Sequence, residues 1–304
     1  MRKSFVTAIS VFMIFFVIAL IIIYRQISDI STLPDIKPAA AEGNSKPVIY
    51  FGVISRYSPN LIYNGYQPIM DYLSSVTPYR FELRLSRNYA QTIEQLSNGR
   101  VAAAFLGAYV YVKFRRHHHL RCILKPLNSQ DQPYFHSVLI STKESPVSVP
   151  QQLSGKRVAL PSELSFSANW FSKILLTSHG LTQNKLSEIH YFNHHNTVIY
   201  QLLNHTFNAG VVKDRVAQEF LSSGLRILAQ SQPVPASPIV ICDKTPPAIQ
   251  KAITSALLKI DLKTPGYKHL VQNWDAEFQH GFVPAKDADY DVVLQMLSEK
   301  GRQP

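Results

Sequence analysis

The residues of this chain best suited to chemistry gather between Tyr191 and Cys242. His194 and His195 open an apolar-periodic segment that predicts a helix over 196–204. The first turn of a helix leaves backbone N–H groups unpartnered and carries the positive end of the helix dipole, so it suits an anion. A small-residue strand is expected at 207–212 and a basic helical segment at 213–222. The run Ser231–Cys242 then spaces prolines before a β-branched strand. That order fits two lobes, with an anion at a helix start and a strand returning to the other lobe. A second polar turn, Ser165–Phe166–Ser167, precedes a helix predicted at about 167–179. Its hydroxyls are of the type that caps helices.

Other reactive residue types point nowhere specific. His117, His118 and His119 follow Arg115 and Arg116 at a predicted helix end, where cations suit the dipole. Adjacent histidines on a regular element do not converge on one ion, and no Cys or carboxylate sits at ligand spacing, so no metal is expected. Cys122 and Cys242 each lie in an apolar strand-like run. Buried free thiols are the simpler expectation, with a disulfide open in an oxidising compartment. The chain has no Gly-x-Ser-x-Gly elbow and no phosphate-loop or dinucleotide glycine pattern. Neither an enzyme nor a cofactor is therefore expected.

These residues must be held by a sizeable fold. After the first ~45 residues, roughly 260 remain, enough for one large domain or two lobes. Lys and Arg exceed Asp and Glu by 31 − 20 = 11, which favours anionic ligands or surfaces. The charges are scattered and no nucleic-acid-binding motif accompanies them, so nucleic acid is not an expected partner. Strands are predicted at 48–54, 81–85, 101–106, 120–126 and 135–142, with helices at 66–75, 89–98 and 108–114 between them. Pro68 is placed in the first turn of its helix. Beyond a linker at 145–153, alternation restarts at Arg157–Leu160, continues through a strand at 188–192 and reaches 225–229. Helices follow at 246–259, 264–274 and 287–299. The pattern is α/β, with a sheet covered by helices in each of two lobes. The expected division is 48–140 with 239–304 for lobe one and 141–238 for lobe two, hinged near Ser141 and Ser237.

The N-terminus bears on compartment. Arg2 and Lys3 precede twenty uncharged residues, Phe5–Tyr24, and Arg25 ends the run. That length matches the ~20 residues of a membrane-spanning helix, and the flanking positive charges favour a cytoplasmic N-terminus. Residues 1–25 are expected to be a signal-anchor and 26–47 a tether. A cleaved signal is the alternative. The globular part is then extracytoplasmic and held at the inner membrane.

Several segments, in order, resemble the phosphate/phosphite/phosphonate-binding periplasmic proteins of ABC transporters, of the type 2 periplasmic-binding-protein fold. They are Phe51–Ser55, Tyr66–Leu73, Asn88–Ala90, Asn98–Val101, Phe105–Gly107, Pro133–Leu139, Ser231–Val240, Gly281–Ala285 and Asp289–Tyr290. The likeness covers about 48–295. It implies a small anionic ligand held by a hydroxyl-rich turn at a helix start, a histidine and two tyrosines. The matching positions are Ser165, Ser167, His195, Tyr89 and Tyr134. It also implies an ABC permease as partner; a membrane sensor protein is the alternative partner if the same fold signals rather than transports. The chain departs from the pattern where it matters. Phe166 stands at the turn's central threonine. Arg215 and Ser237 stand where the family reads a ligand amine, so 2-aminoethylphosphonate is disfavoured as a ligand.

Overall fold

The computed structural model describes residues 46–298, and the expected anchor at 1–25 and most of the tether lie outside them. Among the described residues no helix is long and apolar enough to cross a membrane.

Lobe one is built on a six-stranded sheet of order β13-β4-β12-β3-β1-β2. The strands are β1 (Val48–Val53), β2 (Arg80–Arg84), β3 (Ala103–Phe105), β4 (Leu120–Pro126), β12 (Ile239–Cys242) and β13 (Phe282–Pro284). β1 pairs parallel with β2 and β3, while β12 lies antiparallel between β3 and β4. Lobe two carries a five-stranded sheet, β10-β6-β9-β7-β8, from β6 (Ser137–Thr142), β7 (Arg157–Leu160), β8 (Glu188–Tyr191), β9 (Ala209–Lys213) and β10 (Leu225–Gln230). Here β7 pairs parallel with β8 and β9, and β6 runs antiparallel to β9 and β10. Each sheet therefore has a parallel half whose strand ends can face a cleft. In such sheets ligands bind outside the carboxyl ends of the parallel strands.

The chain crosses between the sheets twice, through β5 (Tyr134–Phe135) and β11 (Val234–Pro235), which pair antiparallel. All of β6 belongs to the five-stranded sheet, and the Ser141 hydroxyl bonds Val147 O inside lobe two. The first crossing thus lies before Ser137 and not near Ser141. His136 separates β5 from β6: its N–H donates to Asp214 Oδ2 and its Nδ1 meets Ser231 O. That break divides the single strand expected over 135–142.

The first helix also differs from expectation. α1 spans Pro59–Val76, with Pro59 at its start and Pro68 well inside it. An interior proline removes one backbone bond and normally breaks a helix. Here Ile62, Tyr66, Ile69, Met70 and Leu73 bury one apolar face on both sides of the proline, and that burial outweighs the lost bond. The other helices are α2 (Tyr89–Ser97), α3 (Ala108–Phe114), α4 (Phe166–Trp170), α5 (Leu176–Ser178), α6 (His195–Leu203), α7 (Asp214–Gln218), α8 (Pro247–Leu257), α9 (Pro265–Val271) and α10 (Asp291–Ser298). A π-turn at Phe171–Leu175 joins α4 to α5.

One glycine sets the geometry of the cleft. A Cβ on Gly210 would stand 2.6 Å from Val198 Cγ1 and 3.1 Å from Ala159 O. Glycine therefore lets α6 lie directly on β9. The start of α6 then comes beside the end of β9, which brings His195 next to Lys213.

Candidate functional site

Between the lobes is a small cavity of about 40 Å³. Its walls come from the carboxyl ends of four strands: Ile54 and Arg56 after β1, Gly107 and Ala108 after β3, Ser165–Ser167 beyond β7, and Lys213 closing β9. Tyr89, Phe135, His195 and Ser237 complete it. Two cations, one imidazole and four hydroxyl-bearing residues line the space, and no carboxylate does.

Each polar group has an identifiable local reason for its position. Ser165 caps α4, its Oγ accepting from Ala168 N at 3.0 Å. Ser167 Oγ meets Ser137 Oγ at 2.7 Å, across from the start of β6. His195 Nδ1 accepts from Lys213 N at 3.3 Å, so in the neutral ring Nε2 carries the proton and is a donor. The ring is neutral because burial, then the nearby Arg56 and Lys213 charges, pull its pKa from 6.5 to about 3. Burial raises the Tyr89 pKa, which keeps its hydroxyl protonated. Phe166 walls the cavity and meets Phe135 edge-on, 6.0 Å between centroids.

Tyr134 does not join this cavity. Adjacent residues of an extended strand point to opposite sides, so Phe135 turns inward while Tyr134 stays 43% exposed. Tyr134 instead lines a neighbouring outer cavity of about 220 Å³ together with Arg215. The two cavities share Phe135 and Lys213 as walls. The eight positions singled out from sequence thus divide between the two: Tyr89, Ser165, Phe166, Ser167, His195 and Ser237 in the inner, Tyr134 and Arg215 in the outer.

Sequence reasoning missed the buried charges behind the site. Arg56 bonds Glu277 and Tyr66, and its Nη2 lies 3.0 Å from Asp275 Oδ1. Lys213 Nζ lies 2.8 Å from Glu277 Oε2 and 4.2 Å from the centre of the Phe135 ring. Glu277 therefore ties Arg56 of lobe one to Lys213 of lobe two. Two further bonds cross the cleft: His195 N donates to Arg56 O, and His194 Nδ1 meets Ser55 O at 2.7 Å. Burial opposes ionisation of Glu277, but Arg56, Lys213 and Arg215 together hold its carboxyl below the ordinary range. Burial lowers the Lys213 pKa, with Glu277 acting against that shift. The available signals were a lysine ending an apolar strand (Ala209–Lys213) and two acids set between Trp274 and Phe278.

A larger cavity of about 560 Å³ lies within lobe one, among residues such as Glu94, His117, His119 and Asp243. His119 Nδ1 is 3.8 Å from Asp243 Oδ2, with both side chains exposed. Among the described residues no group of three or more metal-ligating side chains forms. Cys122 and Cys242 are both buried and free.

His195 makes a pH-dependent contribution to stability. Its folded pKa is depressed, so between about pH 6.5 and 3 the unfolded chain binds a proton that the folded chain does not. Stability then falls with pH by up to about 1.4 kcal/mol per unit. His280, also lowered by burial, adds to the slope. His195→Gln will flatten the decline between about pH 6 and 5 in urea unfolding, above the range where carboxylates protonate. An unchanged slope would mean that His195 does not titrate as its surroundings dictate.

The two mixed sheets, the paired crossings and the interlobe cavity define a two-lobed periplasmic-binding-protein fold. The family model described as "ABC transporter, phosphonate, periplasmic substrate-binding protein" matches residues 51–290. The chain belongs to that family, one of binding proteins rather than enzymes. Solved structures share the fold. A binding-protein component of an ABC phosphonate transporter from Pseudomonas aeruginosa superposes with a TM-score of 0.72 at 14% identity, covering 83% of this chain and 86% of its own. PhnD1 from Prochlorococcus marinus, in complex with methylphosphonate, gives 0.71 at 16%, covering 83% and 97%. A Xanthomonas citri protein bound to chloride gives 0.63 at 17%, covering 83% and 96%.

Proposed function

We propose that this protein holds a small oxyanion in the inner cavity and presents it to an ABC permease. The observation that carries the reading is the lining: Arg56, Lys213, His195, Tyr89, Ser165, Ser167 and Ser237 converge from both lobes with no carboxylate among them. Lys213 supplies charge, while the neutral His195, Tyr89 and the serines supply directed hydrogen bonds. The cavity has room for roughly three waters, which restricts its occupant to a compact group such as phosphite or a phosphonate head. The β5/β11 pair is the hinge, and the lobes divide there. A ligand that binds only the folded state raises the melting temperature. Phosphate, phosphite and methylphosphonate at millimolar concentration are the probes. A positive shift is expected for at least one, and no shift with any of the three sinks the proposal.

We also propose that Phe5–Tyr24 anchors the protein in the inner membrane with the lobes outside the cytoplasm. The charge-free run between Lys3 and Arg25 supports this. Release of the full-length chain by osmotic shock alone would rule it out.

A further inference from the structure

The outer cavity carries an inference beyond the compact anion. Within the buried charge cluster both oxygens of Glu277 and one of Asp275 are already engaged. Glu277 takes Arg56 with one oxygen and Lys213 with the other. Asp275 Oδ1 accepts from Arg56 Nη2 at 3.0 Å and from Glu277 N at 3.0 Å. Arg215 is left at 3.7 Å from Asp275 Oδ1 and 3.7 Å from Glu219 Oε1, beyond hydrogen-bond distance from either. Its Nε is buried without a partner. Asp214, on the same wall, is turned to backbone: its carboxylate accepts from His136 N and Arg215 N.

A guanidinium is a planar fork of donors matched to a carboxylate or phosphonate, and its charge cannot be removed by titration. This one borders about 220 Å³ of space, with the exposed Tyr134 ring on the same wall. Walls come from both lobes: Leu127 and His280 on one side, Arg215 and Gln218 on the other. Lys213 and Phe135 stand between the outer space and the inner one.

We propose that the outer cavity is a second anionic subsite, and that the ligand is an organic phosphonate bearing a carboxylate. Its phosphonate occupies the inner cavity, and its carboxylate pairs with Arg215 in the outer one. The inference rests on the oxyanion reading of the inner cavity and adds the ligand's second charge. An aminoalkyl tail would set an ammonium against the same guanidinium and is rejected.

Titration calorimetry on the full chain tests this with phosphonoacetate, methylphosphonate and 2-aminoethylphosphonate. Phosphonoacetate should bind at least about tenfold more tightly than methylphosphonate, a difference of about 1.4 kcal/mol. Arg215→Ala should abolish that preference without loss of methylphosphonate binding, and Arg215→Glu should favour 2-aminoethylphosphonate. Arg215→Gln serves if the alanine variant does not fold. Equal affinity for phosphonoacetate and methylphosphonate, or a preference that survives loss of Arg215, overturns the outer subsite alone. Failure of all three compounds to bind overturns the inner site with it.

Discussion

Glu277→Gln will cost about 3–5 kcal/mol of stability, and a small oxyanion will recover much of that loss. Glu277 is the shared counter-charge of Arg56 and Lys213. Removing its charge leaves two buried cations with Asp275 beside Arg56 and Asp214 near Lys213 as the remaining acids. Breaking a buried pair is expensive because an uncompensated charge stays out of water. A bound anion restores the compensation, and at ~100 times Kd linkage returns about 2.7 kcal/mol. Urea unfolding of parent and variant, with and without millimolar methylphosphonate, reads both effects. The larger gain from ligand should appear in the variant. A loss below about 1 kcal/mol would show that the ion pair is incidental. Equal ligand effects in both proteins would show that Glu277 and the ligand do not compete for the same cations. The same ion pair bridges the lobes, so the variant should also bind with a faster on-rate.

Phe166→Ala will separate packing from binding. The ring is buried against Phe135 and forms one wall of a cavity of only about 40 Å³. Truncating a buried phenylalanine costs about 3–5 kcal/mol through lost transfer energy and residual space. The same change widens the anion site. Affinity for methylphosphonate should rise by about tenfold, or 1.4 kcal/mol, while the unfolding midpoint falls. Calorimetry and denaturation on one preparation give both numbers. Unchanged affinity alongside reduced stability would show that the ring supports the fold without limiting what enters the cleft.

Most elements were legible from pattern alone. Arg157–Leu160, Leu120–Pro126 and Tyr89–Ser97 lie where apolar runs and periodicity place them, because side-chain period reports directly on local backbone geometry. The misjudged elements are those where tertiary burial overrides a local rule. α1 starts at Pro59 and passes through Pro68, since its buried face compensates for a bond that the local sequence says should be lost. The strand expected over 135–142 divides at His136, since that residue bonds to Asp214 and Ser231, far away in the chain.

The site follows the same division. The resemblance to the family, carried by motifs in their order along the chain, nominated Tyr89, Tyr134, Ser165, Ser167 and His195, and marked Phe166, Arg215 and Ser237 as departures from the family pattern. Those properties belong to positions one at a time. Tertiary structure decided everything that depends on pairs. Phe135 faces inward in place of Tyr134 because register settles strand parity. Arg56 meets Glu277 across 221 positions of chain. Lys213 closes the cleft because Gly210 admits α6 against β9. Arg215 keeps only the longer 3.7 Å contacts to Asp275 and Glu219, because Arg56 and Lys213 hold the Glu277 oxygens and Arg56 also holds Asp275 Oδ1. Contacts over such separations depend on the packing of two sheets, and one sequence read along its length carries no signal of which distant charges will share a pocket.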